Sequence, residues 1–240
     1  MERNMTAVSV RLGAVLSVLA AACCLPGCSS IRVNPQYSGE RFPAEFEVTS
    51  GYVSIAMHDV GQAVPITPEE ETAVRESILA CLRDNAYGYV FSFSDSLPRP
   101  DAEKRKALDA LFRDAVRNIE TGVPSEAVIS SPLLREELSS PADYLLFFGY
   151  SGYFISDTVL GLRMTADFLA AIIGRNQSSS KTDSSTLTVL ILDNRNKRYV
   201  LCDTSEIEAY NADPMAIGTV RAHVGQVLKN MRNASENRDR

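Results

Sequence analysis

The chain is poor in the side chains on which metal and hydrolytic chemistry draw. It holds two histidines in 240 residues, His58 and His223. Neither has a second histidine or a cysteine at ligand spacing, so a metal site is unsupported. There is no glycine-rich phosphate loop, and the carboxylates form no paired constellation that can be placed on one site. Gly149-Tyr150-Ser151-Gly152-Tyr153 is a near miss for a hydrolase nucleophile elbow. It lacks the second glycine at the required spacing and falls in a strand pattern instead of a strand-to-helix turn. These gaps lead to the expectation of a chain that is not an enzyme and takes no cofactor. Basic charge is also in short supply: 24 Lys and Arg face 30 Asp and Glu, a formal net charge of -6. That balance argues against nucleic acid and against electrostatic attachment to anionic lipid.

What is present begins at the N-terminus. Arg3 and Arg11 give a positive start, and Leu12 to Leu25 forms an apolar core of 14 residues, too short for a spanning helix, which needs about 20. Leu25-Pro26-Gly27-Cys28 follows, with a small residue directly before a cysteine. The segment resembles a bacterial lipoprotein signal, removed at residue 27. Pro26 stands where that family usually has a small non-proline residue, and Cys23, after Ala20-Ala21-Ala22, is the alternative acceptor. The resemblance implies a thioether-linked diacylglycerol and an N-terminal acyl chain on Cys28. At about 0.8 kcal/mol per buried methylene, several such chains hold a protein on a membrane effectively permanently. Ser29, which is not the aspartate that retains enteric lipoproteins at the inner membrane, implies an outer-membrane anchor with the body facing the periplasm.

Removal of the signal leaves 213 residues with 29 acidic and 22 basic side chains, enough for one domain that buries roughly 70% of its unfolded surface. We read residues 28–42 as a lipidated tether, 43–232 as a single domain, and 233–240 as a frayed tail. A short strand at Ile31 to Val33 competes with the tether. Cys81 and Cys202 are the two cysteines left after lipidation. In an oxidising compartment they could pair, or each could be a small buried apolar side chain.

Along the domain, Phe46–Ser50 and Tyr52–Val60 read as strands. Thr67-Pro68-Glu69-Glu70 combines a hydroxyl N-cap, a first-position proline and a third-position glutamate, and predicts a helix start. Val74, Ile78, Cys81 and Leu82 fall on its apolar face, and Glu71 with Arg75 forms an i,i+4 pair on the other. Tyr87, Tyr89, Phe91 and Phe93 alternate onto one strand face, which suits core better than a sugar-gripping stripe. Leu108, Leu111, Phe112, Ala115, Val116 and Ile119 predict a helix stopped at Thr121-Gly122-Val123-Pro124. The cluster Lys104-Arg105-Lys106 on it reads as a solvated face. A short helix at Pro132–Leu138 leads to Asp143–Tyr150, a strand apolar on both faces. Thr186–Asp193 and Arg198–Ser205, joined by Asn194–Lys197, should pair antiparallel. A last helix carries Ile217, Val220, Val224, Val227, Leu228 and Met231 on one face.

Residues 156–185 interrupt two neighbouring strands and exceed ordinary loop length. Their first half has helical apolar spacing, with Leu162, Phe168, Leu169, Ile172 and Ile173 dominant, and their second half is serine-rich. Such a helix either covers the sheet or is presented to a partner subunit or the bilayer surface.

The strand opening Ala142-Asp143-Tyr144-Leu145-Leu146, the segment Leu187–Asp203 with its polar break, and the closing helix resemble a group of envelope lipoproteins. It comprises the curli secretion channel lipoprotein, the N-terminal domain of TolB and the lipoprotein activators of penicillin-binding proteins. The resemblance covers about half of the mature chain and implies protein binding or oligomer building instead of catalysis. The expected fold is α/β (α+β), a two-layer sandwich with helices packed against a mixed sheet. The expected function is a membrane-anchored, non-catalytic assembly or partner-binding component of the cell envelope. Its partners would be the membrane through the lipid and an envelope protein or further copies of itself. Two alternatives stay open: a carbohydrate or peptide binder using Tyr150 and Tyr153, and a periplasmic hydrolase around His58, Asp59 and Ser151.

Overall fold

The computed structural model describes residues 28–59, 62–94, 97–156, 183–209 and 212–236. The expected signal segment 1–27 and the insertion residues Leu162, Phe168, Leu169, Ile172 and Ile173 lie outside the described residues. Seven strands build one sheet: β1 (Cys28–Val33), β2 (Glu45–Asp59), β3 (Gln62–Pro65), β4 (Val90–Phe93), β5 (Tyr144–Ile155), β6 (Asp183–Asp193) and β7 (Arg198–Ala209). Their order is β1-β7-β6-β5-β2-β3, with β4 also beside β2. β2 runs parallel to β4 and β5, and the remaining pairs are antiparallel. The helices are α1 (Pro68–Arg83), α2 (Ala102–Asn118), α3 (Glu126–Ile129), α4 (Arg135–Leu138) and α5 (Ile217–Glu236). The architecture is the expected mixed α/β sheet with packed helices.

Strand alternation divides the core in two. On β5, Leu146, Phe148 and Tyr150 join the side chains of α1 and α5, while Leu145 and Phe147 join Leu108, Leu111, Phe112 and Ala115 of α2. Helices thus occupy both faces of the sheet, one more layer than a two-layer sandwich has. This double burial explains why β5 reads as a nearly continuous apolar run. The α1 start is as its sequence predicts: Thr67 Oγ1 accepts from the Glu70 amide at 3.3 Å, and Glu70 Oε2 accepts from the Thr67 amide at 2.8 Å. The hairpin β6–β7 forms around Asn194–Lys197, in the expected antiparallel sense.

Several expectations change. Residues 28–42 are not a free tether: β1 pairs with β7 from Cys28 onward, and Asn34, Tyr37 and Phe42 are buried. Asn34 Nδ2 donates to the Tyr199 carbonyl at 2.9 Å, and the Tyr37 hydroxyl donates to Asp193 at 2.7 Å. The polar composition of the segment concealed these three inward anchors. The domain also runs past 232, because α5 continues through Glu236 into the expected tail. Only Val90–Phe93 pair as β4, since Gly88 takes φ +80 and Asn85 Oδ1 accepts from the amides of Tyr87 and Tyr89. All four rings of that segment nevertheless pack against the core.

Cys81 and Cys202 are free thiols and do not pair. Cys81 packs on the cluster beneath α1 and α5, and Cys202 belongs to the one beneath α2, so the sheet itself separates them. Burial pushes the Cys202 thiol up to about 12.

Glu71 and Arg75 are not a surface pair. Glu71 is buried and receives Arg99 and Arg105, each at 2.7 Å, as well as Arg75 at 3.8 Å. Arg105 comes from α2, so this cluster ties helices on opposite faces of the sheet around its β2 side. The basic run at 104–106 is accordingly mostly engaged, with Lys104 paired to Glu137.

Gly51 of β2 lies under the Phe148 ring, where an added Cβ would come within 2.2 Å of Phe148 Cε1. Gly51→Ala is expected to destabilise the domain by about 1–3 kcal/mol. Gly218→Ala, in α5 with nothing within 4 Å of the new methyl, should be neutral or stabilise by up to about 1 kcal/mol. Urea unfolding midpoints with unchanged slopes check both.

Candidate functional site

The pairing register shows which of the singled-out residues share a level of the sheet. Cys28 stands opposite Glu206, which stands opposite Thr186, then Ser151, then Ser54. Three strand spacings, about 14 Å, separate Cys28 from Ser151. Beyond this row β5 ends at Ile155 and β6 begins at Asp183, so both ends of the insertion leave the sheet from the end that holds Cys28. Asp183, Ser184 and Ser185, read as insertion, are the first residues of β6.

The same end exposes a polar part of one sheet face. α2 packs on Leu145, Phe147, Leu190, Leu192, Tyr199 and Cys202. Toward Cys28 that face carries Ser54, Ser151, Thr186, Thr188 and Thr204 instead, with Ser54 and Ser151 exposed. His58 is exposed at the end of β2, and its ring meets Tyr153 edge-on at 5.4 Å.

The residues of the hydrolase alternative are not brought together. His58 pairs with Ile155, four residues along β5 from Ser151, which amounts to about 13 Å. That distance is far outside hydrogen-bond reach. Asp59 accepts instead from the Ser156 hydroxyl at 2.7 Å.

Tyr150, expected to be exposed beside Tyr153, is fully buried. Its hydroxyl donates to the Pro214 carbonyl at 2.7 Å and its ring meets His223 at 5.6 Å. Three residues apart on a strand, Tyr150 and Tyr153 project from opposite faces, so they cannot form one ring platform. Their odd spacing already carried that information.

Sequence reasoning missed a polar seam inside the core between α5 and the sheet. His223, at 0% exposure, bonds through Nε2 to Ser185 Oγ at 2.8 Å and through Nδ1 to Ser205 Oγ at 2.9 Å. One turn pair further along α5, Asn230 Nδ2 donates to Asp203 Oδ2 at 2.9 Å, while Asp203 Oδ1 is buried without a hydrogen-bond partner. The clue was a histidine and an asparagine seven residues apart on a helix facing polar strand positions. Desolvation lowers His223 to about 4 and raises Asp203 to about 6. Ser185, Ser205, His223 and Asp203 are all enclosed, so no substrate reaches them. The seam instead fixes how α5 sits on the sheet, because any shift would leave buried polar groups unpaired.

The fold places the chain among mixed-sheet α/β proteins. No family model matches the sequence, and no curated protein matches it. Among solved structures it is similar to the PelC dodecamer from Paraburkholderia phytofirmans, at 10% identity over 84% of this chain and 96% of that one, with a TM-score of 0.38. A singly substituted form of that dodecamer is similar at 14% identity over 86% and 98% of the two chains, with a TM-score of 0.33.

His223 and Asp203 pull stability in opposite directions in acid. As pH falls from 6.5 toward 4, the unfolded chain takes a proton that buried His223 refuses, and stability is lost. As pH falls from 6 toward 3.8, buried Asp203 takes a proton before its unfolded counterpart does, and stability is gained. At 1.36 kcal/mol per pK unit, each effect amounts to about 3 kcal/mol. Relative to the parent, Asp203→Asn should therefore lose stability more steeply between pH 6 and 4, and His223→Gln less steeply. Urea unfolding across that range measures both differences.

Proposed function

We propose that the chain is a lipid-anchored component of a bacterial envelope, related to the lipoprotein group it resembles, that holds a protein partner or further copies of itself. The observation that carries this reading is the convergence, at one end of the sheet, of Cys28 with both ends of the 157–182 insertion. Since β1 pairs from Cys28 onward, a lipid on that residue leaves little slack, and this end of the sheet lies against the membrane. The flanking strand ends, Ile155 and Asp183, then lie on the bilayer side, and the apolar spacing in the sequence between them suits either the lipid surface or a neighbouring subunit. The compartment we propose is the outer membrane, with the body facing the periplasm and no catalytic role. Among the described residues no helix is long and apolar enough to cross a membrane. A carbohydrate or peptide reading retains one supporting observation, the exposed His58 beside Tyr153, but without Tyr150 it lacks its second ring.

Metabolic labelling with a palmitate analogue, followed by membrane fractionation, tests the anchor. Cys28→Ser should abolish the label and prevent membrane retention of a processed chain, while Cys23→Ser should change neither. Label retained on Cys28→Ser overturns the assignment. Light scattering on the body, with and without residues 157–182, tests the docking role. The expected outcome is a discrete oligomer that becomes monomeric on deletion, and two folded monomers would overturn self-assembly through the insertion.

A further inference from the structure

One edge of the sheet is open along a whole strand. Among the described residues β1 pairs with β7 alone, so its outer side carries unpaired backbone. The Asn34 amide donates to the Val200 carbonyl at 3.0 Å, which fixes the parity of the ladder. In an antiparallel pair every second residue bonds to its neighbour and the residues between point away from it. Ser30 and Arg32 therefore share the parity of Asn34 and bond to β7, while Ser29, Ile31 and Val33 each turn an N–H and a C=O outward.

This edge lacks the devices that usually blunt one. β1 holds no proline, no lysine and no break in register. On the other side of the sheet β3 and β4 have four residues each, and β3 ends in Pro65. Ile31 is 39% exposed and stands opposite Asp203 on the α5 side, where half-buried Val33 continues the apolar strip. Arg32, opposite Cys202 on the α2 side, is exposed. Its guanidinium donates to the Val116 carbonyl at a long 3.5 Å, and no carboxylate pairs with it among the described residues.

We propose that β1 accepts an extended segment of a protein partner as a further antiparallel strand, with apolar side chains beside Val33 and Ile31 and a carboxylate between them facing Arg32. Backbone bonds to Ser29, Ile31 and Val33 supply affinity, and the alternate side chains supply selection. The antiparallel sense gives the more stable ladder. The choice of occupant rests on the membrane reading above. If a second copy's β1 paired here about Ile31, Cys28 of each copy would stand opposite Asn34 of the other. The two Cys28 ends would then point opposite ways, and both copies could not stand on one membrane. A separate segment carries no such constraint.

Fluorescence polarisation with the full chain in detergent tests this, using the labelled, end-capped peptide Val-Glu-Val-Thr-Val. Its first and third residues lie beside Val33 and Ile31, and its glutamate meets Arg32. Saturable one-to-one binding is expected. N-methylation of the third residue, whose N–H would bond to Ile31, should weaken binding about tenfold or more. N-methylation of the fourth, whose N–H points away from β1, should leave it unchanged. Ile31→Pro removes an outward N–H that β7 does not use and should also weaken binding about tenfold. Arg32→Ala should cost a few-fold with this peptide and nothing with its glutamine counterpart. No saturable binding, equal binding of the peptide methylated at its third residue, or undiminished binding in Ile31→Pro would each overturn the proposal. A chain that is dimeric without peptide and monomeric as Ile31→Pro, by light scattering, would put a second copy on β1 and overturn it too. If Ile31→Pro fails to fold, the two methylated peptides decide. None of these outcomes alters the palmitate label on Cys28, so failure here and failure of the anchor are read separately.

Discussion

The strict alternation of β5 and β6 between two separate apolar clusters is the constraint from which the rest of the molecule follows. Leu146, Phe148 and Tyr150 must meet α1 and α5, and Leu145 and Phe147 must meet α2. A slip of one residue would send every one of these side chains to the wrong helix layer. The register of β5 with β2 and β6 is therefore held by two cores at once. That register in turn places Cys28, Ser151 and the ends of the insertion at one end, and Glu47 with Glu137 at the other.

Buried polar groups refine what the apolar clusters leave loose. Apolar contacts alone allow a helix to slide over a sheet, because they are not directional. The two serine partners of His223 and the Asn230–Asp203 bond give α5 a single favourable position. Glu71 performs a comparable task at the β2 side, where it joins Arg75 of its own helix to Arg105 of α2 and Arg99 of the preceding loop. Removing that one carboxylate would leave several guanidinium groups without their shared counter-charge, which costs more than the loss of an exposed pair.

This organisation separates the two ends of the molecule by chemistry. The Cys28 end is hydroxyl-rich on one face and carries the insertion. The opposite end is acidic and concave.

Much of this was legible in the residues themselves. The Thr67 capping box, the apolar stripes of α1, α2 and α5, the doubly buried β5 and the β6–β7 hairpin are local patterns, set by the periods of helix and strand and by capping chemistry. The aromatic face of residues 87–93 was likewise readable as core, although Gly88 and Asn85 shortened its strand. Other features depended on partners far along the chain. Asn34, Tyr37 and Phe42 look like tether until Tyr199 and Asp193 are placed against them. Tyr150 looks available until Pro214 and His223 close over it, and whether Cys81 and Cys202 pair stays open until the sheet divides them. Glu137 sits in an ordinary polar stretch of sequence, and only folding buries it against Lys104 of α2. By itself the sequence determined the elements and the mixed α/β class, because periodicity, capping and motif spacing act between near neighbours. Tertiary structure alone decided which polar groups were enclosed and which shared a site, because burial and desolvation are set by what packs on top.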